Sequence, residues 1–221
     1  MEYAFDLNIP QTLEELCDPK RMALLVYDMQ VGIVKQLPDG DAVTERVAHV
    51  LAAARDGGFR VFFTRHMSLP FELAGVTQLR TAMAWQHVNR VKDAKPWFLR
   101  DSPGFALAPT MTPLSSEGIF DKLAMSAFVG TPLDMAMRDC GLMAFAIVGI
   151  ALEIGIEPTV RHATDLGYVP VVVTDACGSR DKVAATRALD TLAFAGGSHQ
   201  TDLKTICALF RRHTNPRTST Q

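Results

Sequence analysis

The run Met22-Ala-Leu-Leu-Val-Tyr27, closed by Asp28, decides the fold. Unbroken apolar residues show neither the alternation of a half-exposed strand nor the period of a surface helix, so the run reads as a strand covered on both faces. That places Asp28 at the strand's carboxyl end. From Asp41 to Asp56 the residues Val43, Val47, Val50, Leu51 and Ala54 recur at helical spacing, and Gly57-Gly58 supplies the stop. Arg60-Val-Phe-Phe-Thr64 then reads as a second strand.

The same alternation returns further along. Gly118 to Phe120 is a short strand leading into Asp121-Lys122, and Thr131-Pro132 reads as N-cap and first residue of a helix ending near Cys140. Met143 to Val148 is a buried strand, Gly155 to Leu166 a helix and Val169 to Thr174 another strand. Helices over Asp181 to Leu192 and Asp202 to Arg211 close the pattern. Strands alternating with helices predict an α/β fold, with three α/β/α layers around a mainly parallel, Rossmann-like sheet of about six strands. We read 1–221 as a single domain, with an N-terminal arm over about 1–20. Between 66 and 113 lies a stretch rich in Pro, Trp, Phe and Arg with weak periodicity, read as a lid or an oligomer arm. Ligands of such sheets bind beyond the carboxyl ends of the strands. Asp28, Arg65, His66, Lys122 and the turn from Gly149 to Gly155 all fall there.

Composition narrows the partners. The chain has 221 residues, 48% of them hydrophobic, and a formal charge of −2. Its interleaved acidic and basic residues form no basic stripe, so nucleic acid is not an expected partner. The start lacks a signal-peptide pattern, and no apolar run is long enough to span a bilayer. We therefore expect no membrane association and a cytoplasmic location. Cys17, Cys140, Cys177 and Cys207 are widely spaced, with no Cys-x-x-Cys pair, and read as free thiols.

Three blocks carry a resemblance. Leu25-Val-Tyr-Asp-Met-Gln30, Lys122-Leu-Ala-Met-Ser-Ala-Phe-Val-Gly-Thr-Pro-Leu133 and Val148-Gly-Ile-Ala-Leu-Glu-Ile-Gly-Ile-Glu-Pro-Thr-Val-Arg-His-Ala163 occur in the order found in isochorismatase-like hydrolases. The sequence resembles that family over about residues 20 to 200. The resemblance implies a hydrolase of small molecules in which Asp28 and Lys122 match the catalytic aspartate and lysine. Most members place a nucleophilic cysteine where this chain has Gly155. The isochorismatases proper also carry glycine there and cleave a vinyl ether.

Two mechanisms follow from the resemblance, and the sequence leaves both open. Asp28 is either the general acid that protonates an enol ether or the base that activates water on an amide, with Lys122 steadying the developing anion. The carry-over also assigns an oxyanion hole to the backbone amides of Ala151 and Gly155, beside a cis peptide bond between Ile150 and Ala151. The candidate substrate contacts are Gln30, Arg65, His66, Trp85 and Phe128. Family members that bind zinc use an Asp and two His after the second strand. Here only Arg65-His66 stands there, so we expect no catalytic metal. No Gly-x-Gly-x-x-Gly or P-loop pattern is present, and we expect no cofactor. The expected partners are a small carboxylate-bearing substrate and further copies of the chain, in a dimer or tetramer. The competing reading is a catalytically silent member that binds a small molecule or serves an assembly.

Overall fold

The computed structural model describes residues 1–213. An antiparallel hairpin of β1 (Glu2–Ala4) and β2 (Leu7–Ile9) leads to the short α1 (Leu13–Leu16). The hairpin leaves Tyr3, Phe5 and Leu7 exposed. The apolar run that starts at Met22 is β3 (Met22–Tyr27), buried at every residue. A turn of helix, α2 (Val31–Val34), precedes α3 (Gly40–Asp56), and β4 (Arg60–His66) follows. Then come α4 (Val76–Gln86), β5 (Gly118–Lys122), α5 (Leu133–Asp139) and β6 (Ala144–Ile150). The chain continues through α6 (Glu157–Asp165), β7 (Val169–Gly178), α7 (Lys182–Ala195), β8 (His199–Thr201) and α8 (Leu203–Arg211).

Six parallel strands form the central sheet in the order β5-β4-β3-β6-β7-β8. Helices cover both faces, which is the α/β/α architecture that the alternating pattern predicts. Side-chain alternation along β3 divides it between them. Met22, Leu24 and Val26 pack with α3 and α8, while Ala23, Leu25 and Tyr27 pack with residues of α5, α6 and α7. Each fully buried Leu or Val contributes roughly 1.5–3 kcal/mol relative to exposure, so this one strand ties the two halves of the core together. The chain winds outward from β3 through β4 to β5, then returns to β6 on the other side. The crevice between β3 and β6 is therefore the point where strand order reverses, the usual ligand position in such sheets.

Element boundaries differ from the sequence pattern where local chemistry overrides it. The helix expected from Gly155 begins at Glu157, because residues 152–156 make a wider turn in which Ile156 N–H reaches Ala151 O. Pro132 takes the N-cap position of α5, yet the Thr131 hydroxyl still accepts from Leu133 N–H at 3.4 Å. The weakly periodic stretch after β4 contains α4, none of whose residues is buried. A helix that buries no face in the core has no apolar period to betray it. Among the described residues no helix is long and apolar enough to cross a membrane.

Candidate active site

Asp28 follows directly on β3 and adopts φ 48°, a left-handed conformation that aspartate tolerates better than most residues. The turn swings its carboxyl under the ends of β4 and β5. One oxygen, Oδ1, accepts from the Thr64 hydroxyl at 2.7 Å, and Oδ2 accepts from Lys122 Nζ at 2.7 Å. The Asp28 N–H is anchored in turn by Thr64 O at 3.2 Å. Both members of the pair are buried, Asp28 at 3% and Lys122 at 2% exposure.

A buried ammonium needs partners for three N–H bonds. Lys122 finds the Asp28 carboxyl, Ala124 O at 3.2 Å and the face of the Tyr27 ring, 4.3 Å from its centroid. Burial nevertheless pulls the lysine below its ordinary range, and the Asp28 charge opposes that pull. Lys122 itself is not among the described residues that line the adjoining cavity. Its contact with the cavity wall runs through Asp28 and the Tyr27 ring.

The cavity beside Asp28 is small, about 70 Å³, and is walled by Tyr27, His66, Met125, Ala151, Ile154 and Gly155. The Ile150–Ala151 peptide bond on its floor is cis. The Gly155 N–H donates to Ala151 O at 3.0 Å within the turn, so its hydrogen is already engaged by the backbone. An oxyanion expected at that amide would have to share it. Gly149, opposite Tyr27 in the β3–β6 pairing, has φ 126°, and a Cβ there would lie 2.0 Å from Tyr27 O. Only glycine fits that close approach.

Gly155 has a different reason to be glycine. A Cβ built on it would meet the Tyr27 hydroxyl at 2.1 Å and ring carbons at 2.5 Å. The Tyr27 hydroxyl donates to Met125 O, and burial together with the Asp28 charge pushes the phenol well above its ordinary range. The volume that a side chain at 155 would need is thus filled by a neutral phenol.

Of the other sequence candidates, His66 and Trp85 line the cavity. His66 is held neutral, with burial as the main cause and Lys122 adding to it, down to about 4, and its Nδ1 is buried without a hydrogen-bond partner. Gln30, Arg65 and Phe128 do not line this cavity. Gln30 is fully buried and spends its amide on the backbone, donating to Phe105 O and His66 O and accepting from His66 N–H at 2.6 Å. It fixes the end of β4 and so the position of His66. Arg65 forms a two-point ion pair with Asp121 and covers the Phe105 ring at 4.4 Å. Phe128 stacks on Tyr168 inside the core. Sequence reading misses Tyr27, Phe98, Met125, Ile154 and Arg180, all on the cavity wall. Cys177, by contrast, is buried and does not line the cavity, its thiol lies 3.7 Å from Ile147 O, and burial pushes its pKa up, which disfavours the thiolate. Among the described residues no group of three His, Cys, Asp or Glu side chains gathers as a metal site.

The isochorismatase domain model matches residues 22–204. The ureidoacrylate amidohydrolase RutB of Acinetobacter baylyi is 26% identical over 185 residues, 77% of this chain and 76% of that protein. The isochorismatase family protein YecD of Escherichia coli O157:H7 is 27% identical over 172 residues, 72% of this chain and 81% of its own. The solved structure of an isochorismatase family protein from Burkholderia thailandensis superposes with a TM-score of 0.70 at 28% identity, covering 87% of this chain and 96% of the other. With its parallel six-stranded sheet and a match over most of its length, the chain belongs to the isochorismatase family and is an isochorismatase-like hydrolase.

Proposed function

We propose that the protein hydrolyses the C–N bond of a small carboxylate-bearing amide, using water activated by Asp28 and no covalent cysteine intermediate. One observation carries this reading: the space that a nucleophile at position 155 would occupy is filled by Tyr27. The thiol of Cys177 is buried with its pKa raised, and the phenol of Tyr27 is held neutral. Water is then the nucleophile that remains. Both Asp28 oxygens accept hydrogen bonds, from Thr64 and Lys122, which is the arrangement of a proton acceptor rather than a donor. This favours the base on an amide over the acid on an enol ether, and amide cleavage is also what the name of the RutB relative describes.

In the step, a water oxygen adds to the amide carbonyl while its proton passes to Asp28. The C–N bond then breaks, and the proton moves from Asp28 to the departing nitrogen. A cavity of 70 Å³ takes a planar amide and the attacking water, since one water needs roughly 10–15 Å³. Arg180, at the same wall, supplies the charge for a substrate carboxylate.

Asp28→Asn tests this, because asparagine also tolerates a positive φ and the fold should survive. A screen of carbamoyl amines, small amides and enol ethers should give amide turnover that Asp28→Asn abolishes and iodoacetamide leaves intact. Turnover of enol ethers alone, inactivation by alkylation, or no turnover of any member would overturn the reading, the last in favour of a silent binding protein.

A further inference from the structure

A second, larger chamber of about 330 Å³ opens from the first. His66, Trp85, Trp97, Phe98 and Met125 line both, so they form the neck between them. Beyond the neck the walls are mostly apolar: Met67, Leu69 and Phe71 from the segment after β4, and Leu123 with Ala124 after β5. Another wall is α4, which turns Thr77, Thr81, Ala82 and Trp85 toward the chamber. That explains why α4 buries no residue in the core. The helix is held in place as a wall by Gln86, whose amide donates to Lys95 O at 2.7 Å and accepts from Lys95 N–H at 2.9 Å.

We infer that the substrate carries an apolar arm, aryl or medium-chain alkyl, that passes the neck and fills this chamber while the scissile group stays beside Asp28. Volume sets the class. An apolar cavity of about 150 Å³ is enough to take up benzene. The chamber is roughly twice that, room for a phenylalkyl group or a chain of several carbons. Its position sets the geometry, because the neck leads from the chamber past Trp85 and Trp97 to the carboxyl of Asp28. The Thr77 and Thr81 hydroxyls admit an ether or amide oxygen along one side, and Lys95 brings a cationic side chain to the lining. The inference rests on the amidase reading for the scissile group, yet the arm can be tested without turnover.

The chain has two tryptophans, Trp85 and Trp97, and both stand at the neck, so intrinsic fluorescence reports ligand binding around the neck, and the Ala82→Phe comparison assigns it to the chamber. Acetamide, butanamide, hexanamide and phenylacetamide are titrated against the wild type and Ala82→Phe, which fills the chamber from α4. In the wild type, each added methylene should tighten binding by up to about fourfold, with a change in tryptophan emission. In Ala82→Phe the ratio of hexanamide to acetamide affinity should collapse toward one. Equal affinity for all four amides in the wild type overturns the inference, and that measurement needs no variant to fold. So does an arm preference that Ala82→Phe, melting like the wild type, leaves untouched. If the amides bind with the chain-length preference and none is hydrolysed, the chamber stands and the amidase chemistry falls. If small amides are cleaved with no preference for an arm, the chemistry stands and the chamber inference falls.

Discussion

Adding a single methyl group at position 155 should destabilise the protein, and by an amount that the Tyr27 ring sets. In Gly155→Ala the new Cβ would lie 2.1 Å from the Tyr27 hydroxyl and 2.5 Å from two ring carbons. None of these atoms is the free end of a flexible side chain. The hydroxyl is held on Met125 O, the ring face carries Lys122 Nζ at 4.3 Å, and the residue is 2% exposed. Overpacking of a well-filled core costs typically 1–3 kcal/mol, and with the ring pinned on two sides we expect about 2–3 kcal/mol. For a chain of this length each kcal/mol lowers the melting temperature by roughly 2–4 °C, so thermal denaturation followed by circular dichroism should fall by about 5–10 °C.

A double-mutant cycle separates this clash from any general intolerance of the turn. Tyr27→Val alone removes most of a buried ring and should cost about 3–4 kcal/mol through the cavity it leaves. Combined with Gly155→Cys, it gives the thiol the vacated space, so the double variant should be more stable than the sum of the singles by about 1–3 kcal/mol. The thiol at 155 should then react with iodoacetamide, whereas in Gly155→Cys alone the ring leaves it no place. Urea midpoints of the four proteins measure the coupling. Strict additivity, or a Gly155→Ala protein that melts within a degree of the wild type, would refute the steric argument and detach Tyr27 from position 155.

Two further outcomes follow from the buried charges. Lys122→Met should cost about 3–5 kcal/mol in urea unfolding because it strands the Asp28 carboxyl without its partner, and adding Asp28→Asn should recover most of that loss; a cost below about 1 kcal/mol would show that the pair is not buried as described. His66 is neutral in the folded state down to about 4 against an ordinary 6.5, so its contribution is constant above pH 6.5. As pH falls from 6.5 toward 4 the unfolded chain takes up a proton that the folded one refuses, and about 3 kcal/mol of stability is lost. His66→Phe should lack that loss, and wild-type and variant stability curves that stay parallel from pH 7 to 4 would contradict it.

The parallel sheet, most of its strand–helix alternation and the strand-end position of Asp28 are legible in the sequence because each rests on a local pattern, whereas the pairing of Asp28 with Lys122 is what the family resemblance implies. A continuous apolar run means a two-sided strand, and a charged residue at its carboxyl end stands in the crevice. The direction of a strand-end side chain needs one more step, the alternation along β4 taken together with its register. Thr64 and His66 are two apart in β4 and share a face, with Lys122 paired to His66 in the register of β5. Arg65, between them, must face away, toward its register partner Asp121, and it does. Proximity to Asp28 makes Gln30 resemble a substrate contact too, but a fully buried amide satisfies itself on backbone first.

The helix α4 and the residue Tyr27 are illegible for opposite reasons. The inward face of α4 lines a chamber, so nothing selects an apolar stripe at helical spacing, and Thr77, Thr81 and Trp85 read as loop. Tyr27 is hidden by fitting too well, since the last apolar residue of a buried strand looks like core whether or not it walls a cavity. The only trace in the sequence is a mismatch of sizes across a long separation, a bulky aromatic at 27 and no side chain at 155, which becomes meaningful once β3 and β6 are known to pair.

That exchange of volume bears on chemistry as well as packing. Asp28 and Lys122 in a thiol enzyme would serve a nucleophile standing at 155; here they face a phenol that burial and the Asp28 charge keep protonated. A protonated phenol next to a carboxylate and an ammonium adds no charge, so the ion pair is left intact, and in the proposed reading the carboxyl keeps its free lone pairs for a water. The same ring also fixes Met125 through its hydroxyl, and Met125 lies on the neck between the two chambers. Filling the nucleophile's place with tyrosine therefore does two things at once in the proposed reading: it removes the acyl-enzyme route, and it builds part of the passage through which an apolar arm would reach the larger chamber.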